Sequence, residues 1–283
     1  MAEMLSTIGA SLPMVVRTVG DAAIDDVTHD SREVRPGSLF VAIRGASADG
    51  HDFLDQVIDA GATAVAVDHE VDVPVPQIIV PDTRASMAWL ARSVHGNPDE
   101  HLSIIGVTGT NGKTTVVHLC ESVWRSAGAA YGVVGTLGAR FAGRPVPLAR
   151  TTPEATDLQR LLGQMVKANV RSVGMEVSSH ALDLHRADAI RFRSVGFTNL
   201  TQDHLDFHGT MEEYYAAKAT LFTAARSRAG VVCVDDPWGV RLAAESELPV
   251  QTYAVGPGDS VADWRAWRVE PTPTGHLALS VSG

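Results

Sequence analysis

The segment from Thr108 to Thr115 reads TGTNGKTT. Glycines at 109 and 112 let a backbone bend turn successive N–H groups inward, and such a concavity at a helix start holds an anion. Lys113 adds a mobile positive charge for terminal phosphates, and Thr114 or Thr115 offers a hydroxyl to Mg²⁺. The general phosphate-loop pattern, G-x-x-x-x-G-K-[ST], would place its first glycine on Val107, so the sequence misses it at that position. Strand, glycine turn and helix nevertheless follow in the required order. Gly109, Thr110, Asn111, Gly112, Lys113, Thr114 and Thr115 are therefore the candidate nucleotide-binding residues.

Two later clusters carry metal-ligand chemistry. Glu176 stands in MEVSSH, and FTNLTQDHLDFH runs from Phe197 to His208. A divalent ion beside a triphosphate takes oxygen ligands and tolerates one imidazole, which makes Glu176 and His204 candidates. Asp203, His204, Asp206 and His208 also admit a direct metallohydrolase site, although no pair of the H-E-x-x-H kind accompanies them. Lys218 follows Tyr214 by four residues in MEEYYAAKATLF, on the same side of a helix. A helix lysine ordinarily faces water with its stem on apolar surface. Ser31 and the loop Ala46, Ser47 and Ala48 can offer hydroxyl and backbone groups to a ligand, or simply close turns. Thr151 and Thr152 either meet a ligand or cap the helix that Pro153 opens.

These residues need a scaffold. Leu102 to Val107 reads as a buried strand, and Val116, Val117, Leu119, Cys120 and Val123 recur at helical spacing after the loop. Further strands are expected at Tyr131 to Gly135, Ser172 to Val177 and Ser194 to Asn199, with a hairpin or loop over Thr136 to Leu148. Helices are expected through Leu158, Leu161, Leu162, Met165 and Val166, and over Met211 to Phe222. Val231 to Asp235, Thr252 to Val255 and Leu277 to Val281 supply late strands. Alternation of this kind gives a doubly wound, mostly parallel sheet flanked by helices, with a small late β segment. Ligands bind beyond the carboxyl ends of such strands, which puts the glycine loop, the Glu176 segment and the His204 segment on one rim.

Before Asn97-Pro98 lies a smaller α/β unit. Its strands are Ser38 to Ile43, Ala64 to Val67 and Gln77 to Val80; its helices are His51 to Ala60 and Thr83 to Val94. The expected domains are residues 1–98 and 99–283.

Composition sets limits. The chain has 283 residues and a net charge of −10, which opposes non-specific nucleic-acid binding without opposing an anionic nucleotide. Only Cys120 and Cys233 occur, each in an apolar run, and both read as buried reduced thiols of a cytoplasmic protein. No apolar run reaches about 18 residues, and no basic-then-apolar leader opens the chain.

GVTGTNGKTT, TTPEATDL, MEVSSHAL and FTNLTQDHLDFHGTMEEYYAAKATLF, in this order, resemble the Mur ligases. Within them they are similar to the type that adds the third residue of the peptidoglycan stem peptide. The opening DSREVRPGSLFVAIRGASADGHDF resembles that type's UDP-binding domain. Family loops of the TGTNGKT form also lack the first glycine of the general pattern. The resemblance implies ATP on Gly109 to Thr115, with Mg²⁺ held by Thr114 (or Thr115), Glu176 and His204. It implies the uridine end of a UDP-N-acetylmuramoyl dipeptide at Ser31 and Ala46 to Ala48, and the muramoyl-peptide part at Thr151, Thr152, Ser178 and Arg186. It implies that Lys218 carries a CO₂-derived carbamate that helps hold a second Mg²⁺. Lys113, Lys218, Glu176 and His204 are the implied catalytic set.

The implied reaction passes the γ-phosphate of ATP to a substrate carboxylate, and an amino acid then displaces phosphate to leave an amide. The implied protein is a cytoplasmic monomer without nucleic-acid or membrane partners. Two departures stand out. Leu184 occupies a place where the family often has glutamine, and the sequence stops at Gly283, before the family's third domain. A truncated, non-catalytic module that binds a UDP-sugar peptide or a nucleotide is the alternative expectation.

Overall fold

Alternation along the early strands builds a sheet with two apolar faces. Leu39 and Val41 point to one side and pack with Ala64, Ala66, Met87, Leu90 and Ala91. Phe40 and Ala42 point to the other and pack with Val65, Val67, Leu54 and Val57. This period of two is what a strand covered on both faces requires. The computed structural model describes residues 2–14, 16–45, 48–256, 261–271 and 277–282. Ala46 and Ser47 lie outside the described residues.

The chain divides into two compact units. The first comprises Met1–His101, Pro153–Asn169 and Leu184–Ala189. Its five-stranded sheet runs in the order Arg17–Val19, Gln77–Ile79, Ala64–Val67, Ser38–Val41, Asp26–Thr28. The first pair is antiparallel and the others are parallel. Helix Thr83–Val94 begins where the sequence predicts, because the Asp82 carboxylate accepts from the Ala85 N–H at 2.9 Å. The expected helix over His51 to Ala60 divides into a 3₁₀ turn, Gly50–Phe53, and an α-helix, Leu54–Asp59. Before Ile24 the sequence reading names no element. The structure has a short helix there, Leu5–Ser11, whose sequence LSTIGAS carries too few apolar residues to show a period.

Helix Ala155–Lys167 also belongs to this first unit, although it follows residue 98 by far. Its Arg160 donates to Asp26 at 3.0 Å. The cap expected at Thr152 is absent. The helix starts after Glu154, and the Thr152 hydroxyl donates instead to the Glu176 carbonyl at 2.9 Å.

The second unit comprises Leu102–Thr152, Val170–Asp183 and Ile190–Gly283. Its ten-stranded sheet runs Arg144–Val146, Gly138–Phe141, Tyr131–Gly135, Ser172–Glu176, Ser103–Thr108, Ser194–Phe197, Gly230–Cys233, Val250–Val255, Trp264–Pro271, Leu277–Ser282. Seven neighbouring strands are parallel and each edge is closed by antiparallel pairing. The expected hairpin and late β segment are those two edges. Strand Ser103–Thr108 sits between Ser172–Glu176 and Ser194–Phe197, so the strand order reverses there and a crevice opens beyond its carboxyl end.

Helix Lys113–Ser126 covers this sheet with a face other than the one its apolar residues suggest. Val117 is buried, but Leu119 and Val123 are 60% and 67% exposed. A β-carbon on Gly174 would meet Val117 and Trp124 at 3.3 Å each, which marks the packed face as 117, 121 and 124. Glu121 is buried on it, accepting from Arg140 at 2.6 Å and facing His118 Nδ1 at 2.7 Å. A satisfied carboxylate thus occupies a place that pattern reading reserves for an apolar residue. Cys233 is buried as expected; Cys120 is only half-buried. Among the described residues no helix is long and apolar enough to cross a membrane.

Candidate active site

The glycine loop is held open by the end of the next strand. Gly109 has φ +138° and Gly112 has φ +86°, conformations that favour glycine. A β-carbon on Gly109 would lie 2.0 Å from Thr198 Oγ1, so glycine is also required for the close approach. Thr198 Oγ1 donates to the Asn111 carbonyl at 2.6 Å. Asn199 Oδ1 accepts from the Asn111 N–H at 3.0 Å, and the Asn199 carbonyl accepts from the Thr110 N–H at 2.9 Å. The Thr201 N–H donates to Thr110 Oγ1 at 3.0 Å, and that hydroxyl lies 3.2 Å from the Tyr214 phenol. Lys113 folds back over the loop, donating to the carbonyls of Gly109 and Thr110 at 2.9 Å each. Its amine is depressed from the ordinary lysine value by burial.

Glu176 ends its strand 1% exposed and gathers the threonines around it. Its carboxylate accepts from the Thr114 hydroxyl at 2.9 Å, from the Thr136 N–H at 2.9 Å and from the Thr136 hydroxyl at 3.1 Å. Thr114 rather than the exposed Thr115 is therefore the hydroxyl aimed at the carboxylate. Thr151 Oγ1 lies 3.1 Å from Thr136 Oγ1. Thr152 accepts from the Ser178 N–H at 3.2 Å. The structure thus joins Thr114, Thr136, Thr151, Thr152, Glu176 and Ser178. A buried carboxylate beside hydroxyls is a hard oxygen donor set, which suits Mg²⁺.

Lys218 is 1% exposed and does not face water. Its amine donates to the Gly109 carbonyl at 3.2 Å and lies 4.4 Å from the Tyr214 ring centre. Lys113 and Lys218 thus share one loop carbonyl. Burial first, and then the Lys113 charge, push the Lys218 amine down to about 7. His204 takes φ +51° before the short helix Leu205–His208 and stays partly exposed. Its ring meets His180 edge-on at 4.8 Å and Tyr214 at 6.1 Å. His208 is buried among the same rings, its Nε2 without a hydrogen-bond partner and its imidazole depressed by burial. Asp203, His204, Asp206 and His208 form no three-ligand group, and neither do Glu176 and His204 with a further acid, cysteine or histidine among the described residues.

In the first unit, Ser31 and Ala48 line one pocket of about 360 Å³ with His29, Asp30, Arg32 and Phe40. The Asp30 carboxyl is held near 2 by the Arg32 guanidinium hydrogen-bonded to it. Arg186 is buried in this unit and pairs with Glu154 at 2.9 Å.

Sequence reading assigns no role to four contributors: Thr136, Thr198, Asn199 and Tyr214. It places the segment of Thr198 and Asn199 on the carboxyl rim and Tyr214 on the Lys218 helix, but nothing in their residue types shows that they would brace the glycine loop. Thr136 follows a strand at the same rim, where the sequence reads only as the start of a hairpin or loop.

Comparison with known proteins bears on the same residues. Residues 107–282 match the Mur ligase middle domain, and residues 23–95 match the catalytic domain of the Mur ligase family. The chain is 45% identical over 278 residues to a UDP-N-acetylmuramoyl-L-alanyl-D-glutamate--2,6-diaminopimelate ligase of Streptomyces coelicolor, covering 96% of this chain and 54% of that one. It is 43% identical over 279 residues to the ligase of that name in Geobacillus thermodenitrificans, covering 96% and 56%. A solved structure of a ligase with that name is 28% identical and superposes with a TM-score of 0.78 over 92% of this chain and 53% of that one. The chain spans about half the length of the curated relatives it matches. The middle-domain match takes in the glycine loop, Glu176, the His204 segment and Lys218 together, and on that match the chain belongs to the Mur ligase family.

Proposed function

We propose that this chain supplies the UDP-substrate-binding and ATP-binding parts of an ATP-dependent ligase of peptidoglycan precursor synthesis. The carboxylate activated is that of UDP-N-acetylmuramoyl-L-alanyl-D-glutamate, and the names of the relatives point to 2,6-diaminopimelate as the incoming amine. The observation that carries this reading is the pair of lysines on the Gly109 carbonyl. Lys113 and the loop N–H groups concentrate positive charge where a triphosphate would lie, beside a carboxylate and hydroxyl suited to its metal, and the neighbouring Lys218 amine is held largely neutral there.

The roles proposed for the residues are these. Lys113 releases the loop carbonyls and turns to the phosphates when nucleotide enters. Thr114 and Glu176, with His204 from the neighbouring segment, hold Mg²⁺, which supplies charge neutralisation on the transferring phosphate when bound. Lys218, whose amine is largely neutral near pH 7.5, is the group able to add CO₂ and become an anionic carbamate. The addition forms an N–C bond, releases a proton and turns a neutral amine beside Lys113 into an oxygen donor. Thr151, Thr152, Ser178 and Arg186 position the peptide part, and the Ser31 pocket with the Ala46 to Ala48 loop takes the uridine end. Phosphoryl transfer to the carboxylate gives an acyl phosphate and ADP; amine attack on the acyl carbon then releases phosphate and forms the amide. The protein's work is alignment and electrostatics.

Trapping tests the first half-reaction. With ATP, Mg²⁺, bicarbonate and the UDP-muramoyl dipeptide, hydroxylamine should yield a hydroxamate, and Lys113→Ala should abolish it. Nucleotide hydrolysis that is indifferent to the UDP-peptide, without hydroxamate, would overturn the proposal.

A further inference from the structure

The first unit holds a cluster that the ligase chemistry does not use. His51, Asp68 and His69 each present one ligand atom, and the three atoms lie within 4.8 Å of one another. Among the described residues this is the one such group of histidine, cysteine and acidic side chains. Asp68 Oδ1 stands 2.5 Å from His69 Nδ1 and 3.4 Å from His51 Nε2. The two imidazole rings stack at 4.9 Å with an interplanar angle of 25°. We propose that His51, Asp68 and His69 form a binding site for a divalent transition metal ion, with Zn²⁺ as the best fit.

Two observations beyond proximity point to an ion. His51 Nδ1 lies 2.6 Å from Asp49 Oδ1, and Asp49 is fixed in turn by accepting from the His51 N–H at 3.0 Å. A carboxylate on one imidazole nitrogen sets the tautomer and aims the other nitrogen, the arrangement that supports metal-bound histidines. That other nitrogen, His51 Nε2, is buried and has no hydrogen-bond partner. A buried, unsatisfied nitrogen is costly, and it faces the carboxylate oxygen across a gap too long for a good hydrogen bond. An ion between them gives that nitrogen a partner.

The carboxylate is held the same way. Arg44 donates to Asp68 Oδ2 at 2.8 Å and, over a longer 3.3 Å, to Oδ1, the oxygen that also faces the two imidazoles. Arg44 also neutralises part of the Asp68 charge, which favours a site with two neutral nitrogen ligands over an all-oxygen Mg²⁺ or Ca²⁺ site. Tetrahedral Zn²⁺ with arms of about 2.1 Å sets its ligand atoms about 3.4 Å apart. The cluster reaches this spacing when its widest pair closes by at most roughly 1.4 Å and the Asp68 Oδ1–His69 Nδ1 pair opens by roughly 0.9 Å, both of which rotation of the half-exposed His69 ring can supply. Three protein ligands leave the fourth position to water. The ion would tie Asp68 to the Gly50–Phe53 turn, whose Gly50 and Phe53 line the Ser31 pocket.

The test is a titration of the metal-free chain with Zn²⁺ alone, against a chromophoric chelator. One ion per chain should bind, and His69→Ala should weaken it at least 10-fold. His101→Ala, an exposed histidine in a separate helix, should leave the affinity unchanged. His69 is exposed enough that its loss should leave the metal-free melting temperature as it was. Histidine ring NMR gives an independent reading: Zn²⁺ should shift the His51 and His69 signals before any other. An affinity indifferent to His69→Ala, binding only at other histidines, or no binding would each overturn the proposal.

Discussion

Replacing Lys218 by methionine should remove the pH dependence that the buried amine imposes on stability. In the folded chain this amine sits at about 7, against an ordinary value of 10.5, because burial penalises its charge and Lys113 repels it. Each tenfold change in proton affinity is about 1.4 kcal/mol, so the folded state carries a penalty of roughly 5 kcal/mol below pH 7. The sign follows from proton counting. Between the folded and unfolded values the unfolded chain holds a proton that the folded chain has lost, so unfolding takes one up and stability rises with pH. From pH 6 to pH 9 this one group should contribute a rise of roughly 3 kcal/mol. Methionine fills a similar volume and has nothing to titrate. The variant should therefore be more stable than the parent at pH 6, with the advantage shrinking by about 3 kcal/mol at pH 9. Urea unfolding followed by circular dichroism reads the difference, in CO₂-free buffer so that no carbamate forms. Lys113 is depressed in the same direction in both chains and largely cancels. Parallel stability profiles for parent and variant would show that the amine is not desolvated in solution, and the argument for its neutral form would go with it.

Four further outcomes are expected. At pH 7.5 roughly three quarters of the Lys218 amine is neutral, against about one in a thousand for an ordinary lysine; ¹³C-bicarbonate NMR should show a carbamate carbon that Lys218→Met removes, and its absence counts against the modification. Glu176→Gln keeps an acceptor for the Thr136 N–H but loses the charge, so hydroxamate formation should fall at least about 100-fold while the circular dichroism spectrum stays the same. Asn199→Ala removes both side-chain bonds to Asn111, at 3.0 and 3.2 Å, and should weaken ATP binding by roughly 5- to 30-fold, or about 1–2 kcal/mol, in calorimetry. Ser31→Ala should cost the UDP end about 1 kcal/mol, a several-fold loss, and leave ATP affinity alone; an equal loss for both ligands would remove Ser31 from the uridine pocket.

The strands and the loop were readable because their physics is local. A parallel strand buried on both faces writes itself as a short apolar run, and Leu102 to Val107 does so. The helix expected over Thr83 to Val94 has the same bounds in the structure, where Asp82 caps it. What sequence could not show is pairing across distance. Nothing near Glu121 says that Arg140 will neutralise it, so the apolar residues of its helix suggest the wrong face. Nothing near Thr152 says that its hydroxyl will bond the Glu176 carbonyl instead of capping the next helix. Pro153–Asn169 and Leu184–Ala189 join the first unit for the same reason: Arg160 finds Asp26, and Arg186 finds Glu154. Lys218 is the sharpest case. Residue type places it in water, while topology brings its helix against the glycine loop and buries it at the Gly109 carbonyl.

The same distinction explains why the loop works without the first glycine of the general pattern. Val107 stands at that position, inside the strand, 1% exposed and packed with Val117 and Val133. The bend falls two residues later, on Gly109, which must pass within reach of Thr198. A loop that began to bend at 107 could turn by its own glycines alone. This one is propped from outside, by Thr198 and Asn199 holding Asn111 and by Thr201 and Tyr214 meeting Thr110. The segment after strand Ser194–Phe197 therefore shapes the loop from outside. Its helix then returns Lys218 to the first glycine of that loop. Phosphate loop, loop support and buried lysine form one connected set of contacts, and a substitution in any of the three should be felt at the other two.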